Sequence, residues 1–274
     1  MDIKFWGVRG TRPVVNKEFL NYGGNTSCVE ISTDNNEVIF DAGTGIINLG
    51  NRLLSDNSKE INIFLTHTHW DHIQGLPYFK PLYNNKNKIK IFGIGNNKFS
   101  FKEILEKQMS MEYFPVQWKD LKSHSEIIEI NETSKIQIGD FKIEAIEATH
   151  TSRCLSYKLT CNNIICAYIT DNEWAKGDAE KLIEFIKQCD LLIVDTFFTD
   201  EEYYHDDLSL SKVGWGHSTW QQGVELGIKS GAKKIVCFHH NESKNDEELG
   251  KLEKKARKVL NNICFAKEGM VISL

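Results

Sequence analysis

FLTHTHWDHIQG, residues 64–75, sets three histidines and an aspartate within six positions directly behind an apolar run. The whole chain has nine histidines, so a third of them stand in this one loop. Neighbouring imidazoles compete for space, and each must find a hydrogen-bond partner, so a fold gains nothing from such crowding. A metal site does gain. His67 and His69, at i and i+2, follow the strand-like run INIFLT, and Asp71 and His72 follow at the entry of a helix. A loop leaving a strand end can turn all four side chains toward one point. Imidazole nitrogen and carboxylate oxygen are good ligands for zinc and similar divalent ions.

Four ligands from one loop do not complete a pair of metals that keeps open positions. The chain should therefore supply a further histidine and a bridging carboxylate at other strand ends. It does: His150 closes KIEAIEATH, Asp171 closes IICAYITD, and His239 with His240 closes KKIVCFHH. Each stands where a strand is expected to end, which places them on one rim.

The runs on either side set the architecture. DIKFWGV, SCVEIST, EVIFDAG, INIFLT and KIKIFGI read as short strands. A helical period runs over 45–55 (Ile46, Ile47, Leu49, Leu53, Leu54) and over KFSFKEILEKQM. Strands return in EIIEI, SKIQIGDFKIEAIEA, CLSYKLTC and NIICAYITD. Then DAEKLIEFIKQC, TWQQGVELGIKSG and DEELGKLEKKARKVL read as helices alternating with the strands DLLIVDTFF and KKIVCFHH, and VISL closes the chain. Two strand-rich stretches, each followed by helices, fit an α/β protein in which two face-to-face sheets carry helices outside, a four-layer αββα sandwich. No Gly/Ser-rich tract or charge block divides the 274 residues, so one domain over 1–274 is expected.

Composition narrows the function. A hydrophobic fraction of 41% supports a sizeable core, and a net charge of −5 gives no support to a protein that grips long polyanions. Residues 1–15 show no apolar signal segment, and no run approaches membrane-spanning length, which makes cytoplasm the expected location. Seven scattered cysteines without a C-x-x-C pair read as reduced core thiols rather than disulfides or a thiolate zinc site.

HTHWDH followed by His150, Asp171 and a late strand-end histidine resembles the metallo-β-lactamase fold superfamily over essentially the whole chain. FWGVRGTRP, YGGNTSC and FDAGTG resemble the opening of its phosphodiesterase-type members, and DLLIVDTFF followed by GWGHSTW is similar to motifs of the ribonuclease Z and phosphodiesterase branch. The resemblance implies His67, His69 and His150 on one metal, and Asp71, His72 and the late histidine on the other. Asp171 would bridge them. Aligning IVCFH with the family's strand favours His239 as that last ligand and leaves His240 as the alternative. Two divalent ions are implied, zinc first, with manganese or iron suiting the same donors. Asp41 in FDAGTG resembles the acid that hydrogen-bonds a metal-bound histidine from behind; an ordinary turn aspartate is the other reading.

Such a pair of metals implies hydrolysis of a phosphodiester by metal-bound hydroxide, with Asp71 orienting the attacking water. The leaving oxygen needs a proton, and His217 in GWGHSTW, held by Asp195 at the end of DLLIVD, is the candidate donor. Where the ribonuclease Z motif reads His-Glu-Ala-Thr, this chain has Val194, Asp195, Thr196 and Phe197. The acid is kept one carbon shorter and the preceding histidine is lost, which weakens the ribonuclease reading more than the Asp195–His217 pair.

The expected partner is therefore a small phosphodiester, a cyclic nucleotide or cyclic dinucleotide, rather than long nucleic acid or a membrane. A homodimer is compatible with the sequence. Ribonuclease Z, a thioester or lactam hydrolase, and a non-enzymatic metal-binding sensor are the alternatives, in that order. Three features stay open. Arg9 could meet a phosphate or be structural; Asn25 and Thr26 could line the site or cap their own turn; and Met109, Met111, Tyr113, Phe114 and Trp118 could be core, base-stacking cap or subunit contact.

Overall fold

The structure, a computed structural model, describes residues 1–54 and 60–274. The first half supplies β1 (Asp2–Gly7), β2 (Cys28–Ser32), β3 (Glu37–Phe40), β4 (Glu60–Phe64), β5 (Lys88–Gly93) and β6 (His124–Glu129). The second supplies β7 (Lys135–Ile138), β8 (Phe141–Ala148), β9 (Cys154–Cys161), β10 (Ile164–Ile169), β11 (Leu191–Asp195), β12 (Ile235–Phe238) and β13 (Ile263–Phe265). The last strand, β14 (Val271–Ser273), returns to the first sheet beside β1.

The two sheets have the same plan. One runs β14-β1-β2-β3-β4-β5-β6 and the other β7-β8-β9-β10-β11-β12-β13 from its matching edge. In each, the first three pairings are antiparallel and the last three parallel. β14 thus takes in the first sheet the edge that β7 takes in the second. The internal two-fold similarity that no sequence repeat shows clearly is present in the topology.

Alternation of side chains divides the core into layers. Phe5, Val29, Ile31, Val38, Phe40 and Phe64 face Phe141, Ile143, Tyr157, Tyr168, Ile193 and Phe238 of the opposite sheet. Phe64 lies flat on Phe92 across the β4–β5 pair, with centroids 4.5 Å apart. The alternate residues Ile39, Ile61, Ile63, Ile89 and Ile91 look outward, under α1 (Gly45–Leu53) and α3 (Phe101–Gln108), and the one-turn α2 (Trp70–Ile73) lies between these helices in the chain. On the far side α4 (Ala179–Phe185), α6 (Trp220–Ser230) and α7 (Asp246–Val259) cover Ile169, Leu192, Val194 and Ile235. Strands buried on both faces read as unbroken apolar runs because helices cover the outer side, which is the four-layer sandwich expected. Each of these large side chains contributes roughly 1.5–3 kcal/mol when fully buried.

Several details differ from the expectation. SKIQIGDFKIEAIEA is not one strand but the hairpin β7–β8, turned at Gly139 with φ +54°. DLLIVDTFF is strand only to Asp195, because Thr196 and Phe197 leave the sheet toward α5 (Asp200–Tyr203). The helix expected over 45–55 ends at Leu53, and Ser55 lies outside the described residues. The short β13, three apolar residues without alternation, carries no strand signal of its own. Two proline-opened 3₁₀ turns, Leu76–Tyr78 and Lys80–Tyr83, are further additions to the expected elements. No helix among the described residues is long and apolar enough to cross a membrane. All seven cysteines are free, six of them buried.

Candidate metal centre

The chemistry-bearing residues gather where strands end. Asp41 follows β3, His67 lies three residues after β4, His150 two after β8, and Asp171 two after β10. Asp195 ends β11 and His239 follows β12. These are the carboxyl ends of the strands in the parallel half of each sheet, with β8 running alongside, so one rim collects groups from both halves of the chain. Leu155 N donates to Thr66 O at 2.8 Å and Tyr157 Oη to Leu65 O at 2.6 Å, joining the sheets under the rim.

Three of these residues hold left-handed backbones: Asp41 at φ +61°, Asp171 at +50° and His239 at +57°. That conformation costs a non-glycine residue roughly 1–2 kcal/mol, although Asp, Asn and His tolerate it best. At each position it turns the chain sharply off its strand. Gly10 is needed for a related reason, because a Cβ there would stand 2.4 Å from the His239 ring.

Asp171 occupies the centre. Its Oδ2 lies 3.1 Å from His72 Nε2 and 3.3 Å from His239 Nε2. Its Oδ1 lies 3.7 Å from His150 Nε2 and 4.0 Å from His67 Nε2. Donor atoms of His67, His69 and His150 converge within 4.8 Å of one another on one side, and those of Asp71, His72 and His239 do so on the other. Within these groups His150 Nε2 is 3.1 Å from His69 Nδ1, and Asp71 Oδ2 is 3.1 Å from His239 Nε2. Thr11 N donates to that Asp71 oxygen at 2.7 Å.

The ring nitrogens turned away from the centre are held in turn. His72 Nδ1 pairs with Asp41 Oδ2 at 2.8 Å, and Asp41 also receives Tyr168 Oη at 2.8 Å and Thr66 N at 2.8 Å. His150 Nδ1 donates to Gly216 O at 2.8 Å. His67 Nδ1 meets Thr66 Oγ1 at 3.1 Å. This arrangement fixes the tautomers that aim Nε2 inward. His67 Nε2 itself is buried and has no hydrogen-bond partner among the described residues. An orphaned buried nitrogen costs about 1–3 kcal/mol unless something fills its lone pair, so the donor set fits divalent ions.

The electrostatics agree. Burial and the repulsion of His72 hold the His67 imidazole well below its usual range, and burial with His150 lowers His69. His150 is lowered by burial, with Asp171 opposing. Burial alone would lower His72, yet Asp171, Asp71 and Asp41 outweigh it and raise it well above its usual value. Burial would likewise raise Asp71 and Asp171, but the surrounding histidines hold both carboxyls well below the usual range. Buried carboxylates of this kind need positive charge close by.

His240 is not in this group. It packs flat on Phe265, its Nε2 faces Ala266 O at 2.9 Å, and burial with nearby Arg9 pushes it down to about 3. His239 is the histidine of the pair that faces Asp171. His217 lies beside the centre: its Nδ1 pairs with Asp195 Oδ2 at 2.8 Å, and its ring stacks against both Phe197 and His239, with centroids 4.7 and 5.3 Å away. Burial alone would lower His217, but Asp195 outweighs it and pushes it up to about 9.

The open features resolve against direct roles. Arg9 is buried and donates to the carbonyls of Gly23, Asn241 and Lys244, so it is a clamp between segments rather than a phosphate contact. Asn25 Nδ2 donates to Glu268 Oε2, and Thr26 Oγ1 receives Thr44 N and Gln74 Nε2, so both residues tie their loop to neighbouring segments. Met109 is core and Trp118 packs on the outer face of the first sheet. Tyr113 and Phe114 instead line a cavity of about 390 Å³ with Trp70, Tyr78, Gln74, Gln108 and Glu112. Thr66, Tyr168, Gly10 and Gly216 are parts of the site that sequence reasoning missed. Their residue types carry no metal chemistry, and only the folded contacts show their use.

A two-sheet sandwich with this double histidine and carboxylate rim defines a class of metal-dependent hydrolases. The model of the beta-lactamase superfamily domain matches residues 36–240, and the chain belongs to that superfamily. A ribonuclease Z of Picrophilus torridus is 23% identical over 302 aligned residues, covering 91% of this chain and 93% of that protein. Among solved structures, the metallo-beta-lactamase fold protein YhfI of Bacillus subtilis superposes with a TM-score of 0.73 at 18% identity, over 99% of this chain and 98% of that one. Zinc-bound PqqB of Methylobacterium extorquens gives 0.71 at 15% identity over the full length of both. The protein is a metal-dependent hydrolase.

Proposed function

We propose that the protein, acting as one domain over residues 1–274, hydrolyses a small phosphodiester, a cyclic nucleotide or cyclic dinucleotide, at two divalent metal ions. His67, His69 and His150 would hold one ion, Asp71, His72 and His239 the other, and Asp171 both. When bound, the ions supply Lewis-acid activation of water and charge neutralisation at the phosphoryl oxygens. Zinc suits this donor set, as do manganese and iron.

The chain's own residues do the rest. Asp71, held by the amide of Thr11, accepts a hydrogen bond from the attacking water and orients it. His217 carries the proton for the leaving oxygen: Asp195 accepts from its Nδ1, which leaves Nε2 as the donor, and stacking on Phe197 and His239 fixes the ring plane. That buried Asp195–His217 pair, set against Asp171, is the observation that carries the reading. An alkoxide leaving group needs such an acid, whereas a thiolate does not. Trp70, placed between two site residues, opens with Tyr78 and Tyr113 onto the neighbouring aromatic cavity, which suits stacking on a nucleobase.

The likeness to ribonuclease Z supports a second reading, cleavage of RNA. Turnover of cyclic mononucleotides, cyclic dinucleotides and a precursor transfer RNA, compared on metal-loaded and chelated protein, separates the two. A kcat/KM highest for a cyclic substrate upholds the first reading. Cleavage confined to the RNA overturns it.

A further inference from the structure

Glu173 is buried two residues beyond Asp171, and no step above uses it. Its carboxylate takes three donors. Oε1 receives Gly214 N at 2.7 Å and the hydroxyl of Tyr203, and Oε2 receives Gly216 N at 3.1 Å. Its own amide donates to Thr149 O at 2.8 Å, and neighbouring Asn172 accepts from Thr149 N through Oδ1 and from the Ser218 hydroxyl through its carbonyl.

The two glycine amides belong to the loop that carries His217. Both glycines have positive φ, +91° at Gly214 and +83° at Gly216, a conformation that aims their N–H groups at one acceptor. Gly216 also packs so closely on His150 that a Cβ would stand 2.2 Å from its Nδ1, and it gives that nitrogen its carbonyl. The amide side of Gly216 is thus fixed by Glu173, and the carbonyl side fixes His150. The next residue is His217.

We infer that Glu173 is a positioning residue: it clasps the Gly214–Gly216 loop and so sets both the His217 ring that delivers the proton and the orientation of His150. The catalytic half of this inference rests on the reading of His217 given above. A carboxylate is required, because both oxygens must accept. Glutamine would turn an NH₂ group toward one donor, and aspartate is a carbon too short to reach both amides. Polar contacts to a charged acceptor of this kind are among the stronger ones.

The test uses the metal-loaded full chain as wild type, Glu173→Gln and Tyr203→Phe, with two measurements. Amide hydrogen exchange by ¹⁵N NMR follows Gly214 and Gly216 and needs no substrate. Turnover is measured on bis-p-nitrophenyl phosphate, which has a good leaving group, and on a dinucleotide, which leaves an alkoxide. In Glu173→Gln both amides exchange about tenfold faster or more. Dinucleotide cleavage falls about a hundredfold, against less than about threefold for the nitrophenyl ester. Tyr203→Phe, which leaves both amide bonds in place, stays near wild type in both measurements.

Unchanged exchange, equal losses on the two esters, or a Tyr203→Phe variant as impaired as Glu173→Gln would each overturn the inference. If Glu173→Gln does not fold, Glu173→Asp is held to the same outcomes. If wild type cleaves neither ester, the phosphodiesterase reading fails, and the exchange rates alone uphold or overturn the clasp.

Discussion

Asp41 Oδ2 stands 2.8 Å from Nδ1 of His72, and that imidazole turns its Nε2 to within 3.1 Å of Asp171. Asp41 comes from β3 of the first sheet and Asp171 from the end of β10 in the second. The two aspartates occupy matching places, each after the strand where antiparallel pairing gives way to parallel, and each turns at positive φ. One histidine is thus held between equivalent corners of the two half-folds.

Asp41→Asn keeps a residue that tolerates the backbone while removing the charge behind His72. Zinc affinity should fall about 10- to 100-fold, measured by competition with a chelating dye. An unchanged affinity would show that Thr66, whose Oγ1 lies 3.3 Å from the same nitrogen, is enough to hold the ring.

Asp171→Asn tests the shared carboxylate. An amide has one acceptor oxygen and no charge, so it cannot face both histidine groups as the aspartate does. Metal content by mass spectrometry should drop from about two ions per chain to one or fewer, with turnover lost. Two tightly held ions in the variant would contradict the bridging role.

Much of this centre was legible because its chemistry is concentrated in rare residue types. Histidines in one loop, and a lone His or Asp closing an apolar strand, are visible without knowing which strands are neighbours. The choice between His239 and His240 was not visible in the residues themselves, although the family likeness favoured His239. Both end the same strand, and only the turn at φ +57° with the open face of Gly10 decides which ring enters the site. Nor was Glu173, whose three donors lie 30 to 43 residues away and include two glycine amides that have no side-chain signal. The fold was read better than its edges. Long apolar alternation marks central strands, whereas β13, three residues long, owes its pairing to β12 rather than to its own pattern.

Removing the metals should also weaken the fold. Ions that bind only the native arrangement stabilise it by mass action, so chelation should lower the melting temperature and zinc should restore it. Differential scanning fluorimetry with and without chelator measures this. A melting temperature indifferent to both treatments would mean that the histidines bind no ion in the native chain.

His217→Ala should separate substrates by leaving group. A general acid contributes roughly 10²–10⁴ in rate where the leaving group needs its proton. The variant should therefore lose about that much on a dinucleotide and little on bis-p-nitrophenyl phosphate. Equal losses on both would assign His217 to binding instead.

The same imidazole gives the metal-free protein a pH signature. Its value in the fold, about 9, lies above the ordinary 6.5 because Asp195 outweighs burial. The charged form therefore stabilises the native state, fully below about pH 6.5, and that contribution disappears as pH rises through about 9. Its size is about 3 kcal/mol. Urea titrations of the metal-free chain from pH 6 to 10 should show stability falling across that window, and Asp195→Asn should flatten the fall. Zinc should move the titration down, because divalent ions held beside Asp171 would repel the imidazolium 3.8 Å from that carboxylate. NMR titration of His217 with and without zinc measures the displacement, and an upward move would place the ions somewhere other than this rim.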